Sequence, residues 1–105
     1  MVDHELDQLK REFLVEADEK AGQIAQWLEG SPDSDSMGRV AYVAHQLKGS
    51  GGSYGYARIS AEAAEIERAA EEVQGNPPAV DPDLRLHVTA LREAISSSLR
   101  ELDEE

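Results

Sequence analysis

From about Asp3 to Glu29 the apolar residues Leu6, Leu9, Phe13, Ala17, Ala21, Ile24 and Leu28 recur at steps of three and four. That spacing draws one stripe along a helix. No proline interrupts it, and Gly22 is its only weak point. Leu14 and Trp27 fall off the stripe and are available to a second packing face. Gly30-Ser31-Pro32 predicts the end, because glycine suits a left-handed C-cap and proline cannot continue the hydrogen-bond ladder. The stretch reads as one long helix, or as two with a bend.

Asp33-Ser34-Asp35-Ser36 supplies N-cap residues, so a second helix is expected to start there. Val40, Val43, Leu47 and Tyr54 carry it forward at helical spacing, and Gly55 is placed to close it. Ile59, Ala63, Ile66, Ala70 and Val73 form a third stripe, broken by Gly75-Asn76-Pro77-Pro78. A fourth helix starts around Asp81-Pro82-Asp83, with Asp81 as cap and Pro82 in the favoured first position. Its stripe is Leu84, Val88, Leu91, Ile95, Ser98 and Leu102. Asp103-Glu104-Glu105 put negative charge at the negative end of the helix dipole, where fraying is expected. Nowhere do polar and apolar residues alternate as in a strand.

The fold predicted is all-α: an antiparallel up-down four-helix bundle, with or without a short extra N-terminal helix, formed by residues 1–105 as a single domain. Composition agrees. Apolar residues make up 40% of the chain but aromatics only 5%, which suits closely packed helices better than a β-sandwich. The net charge of −12 argues against binding nucleic acid or an anionic membrane, whose phosphates this surface repels. With no cysteine, disulfides and thiolate metal sites are excluded. No apolar run approaches the length of a membrane span, and the acidic N-terminus is unlike a secretory signal. A cytoplasmic location is expected.

One stretch resists this plain reading. Ala44 to Gly55 holds four of the eight glycines, yet its apolar residues keep helical spacing. Each glycine inside a helix costs about 1 kcal/mol against alanine. At about 100° per residue, His45 falls nearly opposite Val40, Val43, Leu47 and Tyr54. Ala41, Gly49 and Gly52 share its side, and Lys48 lies one turn along, about 60° away. The expected picture is an exposed imidazole on a rigid helix, ringed by minimal side chains that allow a partner to dock closely, with a cation in reach. The plain alternative is an ordinary surface histidine beside a flexible loop.

The run His45-Gln-Leu-Lys48-Gly49-Ser-Gly-Gly52-Ser-Tyr-Gly55 resembles the signature of histidine-containing phosphotransfer (HPt) domains, including the N-terminal phosphotransfer domain of chemotaxis-type histidine kinases. The pattern there is His-x-x-Lys-Gly-x-x-Gly-x-x-Gly, and every fixed position is met. The resemblance implies that His45 takes a phosphoryl group from a receiver aspartyl phosphate or a kinase and passes it to a response-regulator aspartate. Neutral imidazole is a good nucleophile near neutral pH. Lys48 would offset the phosphoryl charge, which matters in so acidic a chain. Glu67, at the edge of the third stripe, is a candidate to orient the imidazole, as a glutamate does in chemotaxis-type relatives; the plain alternative is one more solvated glutamate. Those relatives can carry a second histidine one turn earlier, where this chain has Ala64. The implied partners are receiver domains and a sensor histidine kinase. The divalent metal is expected on the receiver, no cofactor is expected on this chain, and a monomer is expected.

Other signals are weaker. His4 is near a terminus, and His87 shares an edge with Leu84 and Leu91 and reads as a boundary residue. The three histidines have no metal-site spacing. The glycine run follows no strand, so it is no dinucleotide loop, and Asp33-Ser-Asp35 and Asp81-Pro-Asp83 lack the rest of a calcium loop. Nothing in the chain would bind ATP, so on its own it is a phosphocarrier rather than a kinase. The competing readings are a phosphotransfer domain excised from a chemotaxis-like kinase and an acidic helical interaction module without phosphotransfer.

Overall fold

The computed structural model describes residues 4–29, 33–75 and 82–104. Four α-helices follow one another: α1 (His4–Trp27), α2 (Ser34–Ser53), α3 (Ala57–Gly75) and α4 (Pro82–Glu104). No strand occurs among the described residues. Each helix packs on two neighbours, α1 on α2 and α4, α3 on α2 and α4, with the α2–α3 interface the most extensive. This is an all-α four-helix bundle, elongated to 51 × 20 × 17 Å. α1 is one continuous helix with no separate N-terminal one among the described residues. The breaks expected at residues 30–32 and 76–78 and the cap at Asp81 lie outside the described residues.

Helix ends are fixed by specific groups. Asp33 caps α2, its side chain accepting the Ser36 N–H at 2.8 Å. That bond, first of all, holds the Asp33 carboxyl below its ordinary value. At the other end Gly55 has φ +84, a conformation that costs glycine little. Its N–H donates to Gly52 O at 3.2 Å and the Tyr56 N–H to Gly51 O at 2.8 Å, the paired bonds of a Schellman motif. The chain thus turns within three residues and enters α3 antiparallel to α2. The last turn of α1 has no basic residue of its own. Arg85 from α4 donates to Leu28 O at 2.8 Å instead, satisfying a carbonyl at the end of α1. α4 runs on to Glu104, with Asp103 ion-paired to Arg11 of α1, where the acidic residues predict fraying.

The core differs from the stripes in two places. Leu6 and Leu9 are exposed, at 41% and 47%, whereas Leu14, off the stripe, is fully buried. Phe13 stacks on Tyr54 and Tyr56, with ring centroids at 5.0 Å and 6.0 Å, so α1 meets the α2–α3 turn at this level. Residues of α1 before Phe13 project past that turn, where neither α2 nor α3 can cover them. Leu14 lies on the second face that α1 needs because it packs on both α2 and α4. The second difference is on α2. Besides Val40, Val43 and Leu47 it buries Met37, Ala41, Ala44 and Gly51, a wider arc displaced toward α3.

Candidate functional site

That displaced arc sets the geometry around His45. The ring is 65% exposed, but it stands at the border of the α2–α3 interface rather than on the far pole of α2. Its Nδ1 lies 2.6 Å from Glu67 Oε2 on α3. The other oxygen of the same carboxylate, Oε1, accepts from Lys48 Nζ at 2.6 Å. His45 and Lys48, one turn apart on α2, therefore meet around the carboxylate of Glu67, about twenty residues further along the chain on α3.

Glu67 is mostly covered, with 13% of its side chain exposed. Its carboxyl is held below the ordinary value of 4.5, first by the hydrogen bond from Lys48 and also by that from His45, against burial, which acts the other way. Glu67 is thus ionised at neutral pH, and an ionised carboxylate can only accept. The Nδ1 of a neutral His45 must then be the protonated nitrogen, which leaves the lone pair on Nε2. The arrangement fixes the ring, selects its tautomer and leaves a nucleophilic nitrogen on an exposed side chain.

Two residues without a sequence assignment hold this geometry. Ser60 Oγ donates to Lys48 O at 2.8 Å, tying the first turn of α3 to the helix turn that bears the lysine. Gly51 is buried, and a Cβ built there would lie 3.2 Å from Ser60 N and 3.3 Å from Ile59 Cγ2. Close approach of the α3 backbone is the reason for glycine at this position. The only signal for it in the sequence is membership of the glycine run.

The residues expected to line a bare docking surface fall in three environments. At Gly49, exposed, a Cβ would meet nothing within 4 Å, so this side of the helix is open. Gly52 is exposed too, but a Cβ there would come 3.6 Å from Ser60 Oγ, at the α3 edge. Ala41 is 8% exposed and belongs to the core. Its expected place on the open side is corrected: small residues on α2 let α3 come close, and the close approach buries them. Beside His45 the exposed face carries Tyr42, whose hydroxyl accepts from Gln46 Nε2 at 3.2 Å.

His87 is half-buried at the α3–α4 boundary and pairs through Nδ1 with Glu62 Oε2 at 2.7 Å. Ala64 is half-buried, and the side chain of His4 lies outside what the structure describes. Among the described residues no group of three or more histidine, cysteine or acidic side chains could hold a metal ion. No described helix is long and apolar enough to cross a membrane.

A family model described as the Hpt domain matches residues 8–97, from the second turn of α1 to the last third of α4. No curated protein and no solved structure matched the chain. The match covers all four helices that build the core and the surroundings of His45. By that match the chain belongs to the Hpt domain family, the histidine phosphotransfer domains of two-component signalling.

Proposed function

We propose that this protein is a phosphorelay carrier in which His45 receives a phosphoryl group from a receiver aspartyl phosphate or a kinase and passes it to a response-regulator aspartate. The observation that carries the reading is Glu67 held between His45 Nδ1 and Lys48 Nζ, each at 2.6 Å. In the forward step the Nε2 lone pair attacks phosphorus and an N–P bond forms. The O–P bond of the acyl phosphate breaks, and the aspartate leaves as a carboxylate. The Nδ1 proton stays in its hydrogen bond to Glu67 throughout, which stabilises the positive charge that the ring gains. Onward transfer reverses these steps on a second aspartate. Phosphoryl transfer needs in-line positioning and charge stabilisation more than covalent help. Lys48 supplies a point cation beside the ring, and the receiver is expected to bring the divalent metal. The protein acts as a monomer in the cytoplasm, with Gly49 and Gly52 on the surface that a receiver or a sensor kinase approaches.

Incubation with a phosphorylated receiver, or with a sensor kinase and ATP, should place an acid-labile, base-stable phosphate on this chain. His45→Gln should abolish the label and keep the helical circular dichroism. Label persisting in that variant would overturn the assignment. The contact between Glu67 and the ring also favours a second reading, as the phosphotransfer domain of a chemotaxis-type kinase, because a glutamate orients the histidine in those relatives. The two readings part on whether the ATP-binding kinase domain stands on the same polypeptide or on a separate protein, which the full-length gene product decides.

A further inference from the structure

The chain carries 22 acidic residues against 10 basic ones, yet three of its arginines stand together and pair with no carboxylate among the described residues. A groove of ≈ 650 Å³ between the start of α3 and the outer face of α4 is lined by Arg58, Arg92 and Arg100, with the hydroxyls of Thr89, Ser96 and Ser97. Glu93 is the one acid among its lining residues. Arg68 shows what the ordinary surface does with an arginine: Glu65 and Glu72, three and four residues away, pair with it at 3.1 Å and 2.9 Å. On α4 the corresponding neighbours of Arg92 are Val88, Thr89, Ile95 and Ser96, none of them acidic.

Of the carboxylates placed to neutralise the other two, Glu62 and Asp103 are engaged elsewhere. Glu62, one turn beyond Arg58, is bonded to His87, and Asp103, three residues past Arg100, is paired with Arg11. Glu104, four residues past Arg100, and Glu101, on a groove wall shared with Arg58, form no ion pair with them among the described residues. Arg100 makes only a 3.4 Å contact with Ser97 Oγ. Through Arg58 and Ser97 the groove runs on into a smaller one of ≈ 260 Å³, lined in part by Tyr56, Ile59 and Ala94, with Glu101 also on its wall.

We propose that this α3–α4 groove is a docking site for an acidic segment of a partner protein, separate from the surface around His45. Charge complementarity carries the choice. Elsewhere a molecule of net charge −12 repels an acidic chain, and here it presents free guanidinium groups, which bind carboxylates bidentately. Arg92 and Arg100 stand two turns apart, about 12 Å along the axis. An extended segment rising about 3.3 Å per residue would meet both with carboxylates about four residues apart. The groove, with its continuation past Arg58 and Ser97, suits such a segment better than a single small anion.

The test is fluorescence anisotropy at about 20 mM salt, using a labelled extended peptide with glutamates about four residues apart and the same peptide carrying glutamines. Saturable binding of the glutamate peptide alone is expected, with affinity falling about tenfold or more in Arg92→Ala/Arg100→Ala. Both arginines are exposed, so the variant should melt like the parent and retain His45 labelling. Arg39→Ala, on α2, should bind unchanged. No binding, equal binding of the glutamine peptide, or equal affinity across the variants would overturn the proposal. So would binding of inorganic phosphate or anionic vesicles at these arginines in place of the peptide.

Discussion

Glu67 holds two donors with its two oxygens, so a single side chain sets both the tautomer of His45 and the position of Lys48. Glu67→Gln keeps the shape but loses the charge, and an amide presents a donor where one acceptor stood. Phosphoryl transfer to His45 should slow by about tenfold or more, as measured by rapid-quench labelling. Stability should follow pH with a definite sign. The carboxyl lies below its ordinary 4.5 in the native state, so the unfolded chain binds the proton more readily. Its contribution is full above about pH 4.5 and fades as pH falls through the lowered native value. Urea unfolding of the wild type and Glu67→Gln should differ at pH 7 and converge as pH falls below the lowered native value. Spacing singles out His45 and Lys48 on the glycine-lined side of α2, and the resemblance of the run to the phosphotransfer signature is what gives them roles. Ser60 is not legible. A serine early in a helix looks the same whether it faces water or the carbonyl of Lys48, and only the register of α3 on α2 decides.

At the scale of the helix, α2 carries both an open face and the tightest packing contact at the site. Gly49 and Gly51 are two residues apart and see opposite surroundings. Alanine at either position removes the same backbone penalty, about 1 kcal/mol in favour of the helix. At Gly51 the added methyl must also displace the α3 backbone at Ser60 N, 3.2 Å away. Chemical denaturation should therefore find Gly51→Ala less stable than Gly49→Ala by about 1–3 kcal/mol. Periodicity marks α2 as a helix through the glycines, and the Schellman turn at Gly55 ends it where the pattern predicts. The direction of its buried face is less legible. Ala41, Ala44 and Gly51 give little apolar signal, although their small size is what brings α3 close and turns His45 toward Glu67.

For the whole molecule, the stripes predict four helices and their antiparallel order, but they say only which face is apolar. They do not say whether a neighbour stands opposite. Leu6 and Leu9 continue the α1 stripe beyond the α2–α3 turn and stay exposed, whereas Leu14 fills the space shared with the neighbouring helices. Leu14→Ala should cost about 2–5 kcal/mol in thermal or urea unfolding. Leu9→Ala should change stability by no more than about 0.5 kcal/mol. The difference measures how far α1 runs past the common core.

The pairings between α1 and α4 have a topological consequence. Arg11 meets Asp103 at one pole, and Arg85 meets the end of α1 at the other. The contacts α1–α2–α3–α4–α1 thus close into a ring, with the last turn of α4 beside Arg11 of α1. A ring has no first member. A circular permutant joined from α4 to α1 and opened between α3 and α4 would keep every helix beside its present neighbours. The wiring order of the helices is incidental to the bundle, and their cyclic adjacency is what brings Glu67 to His45.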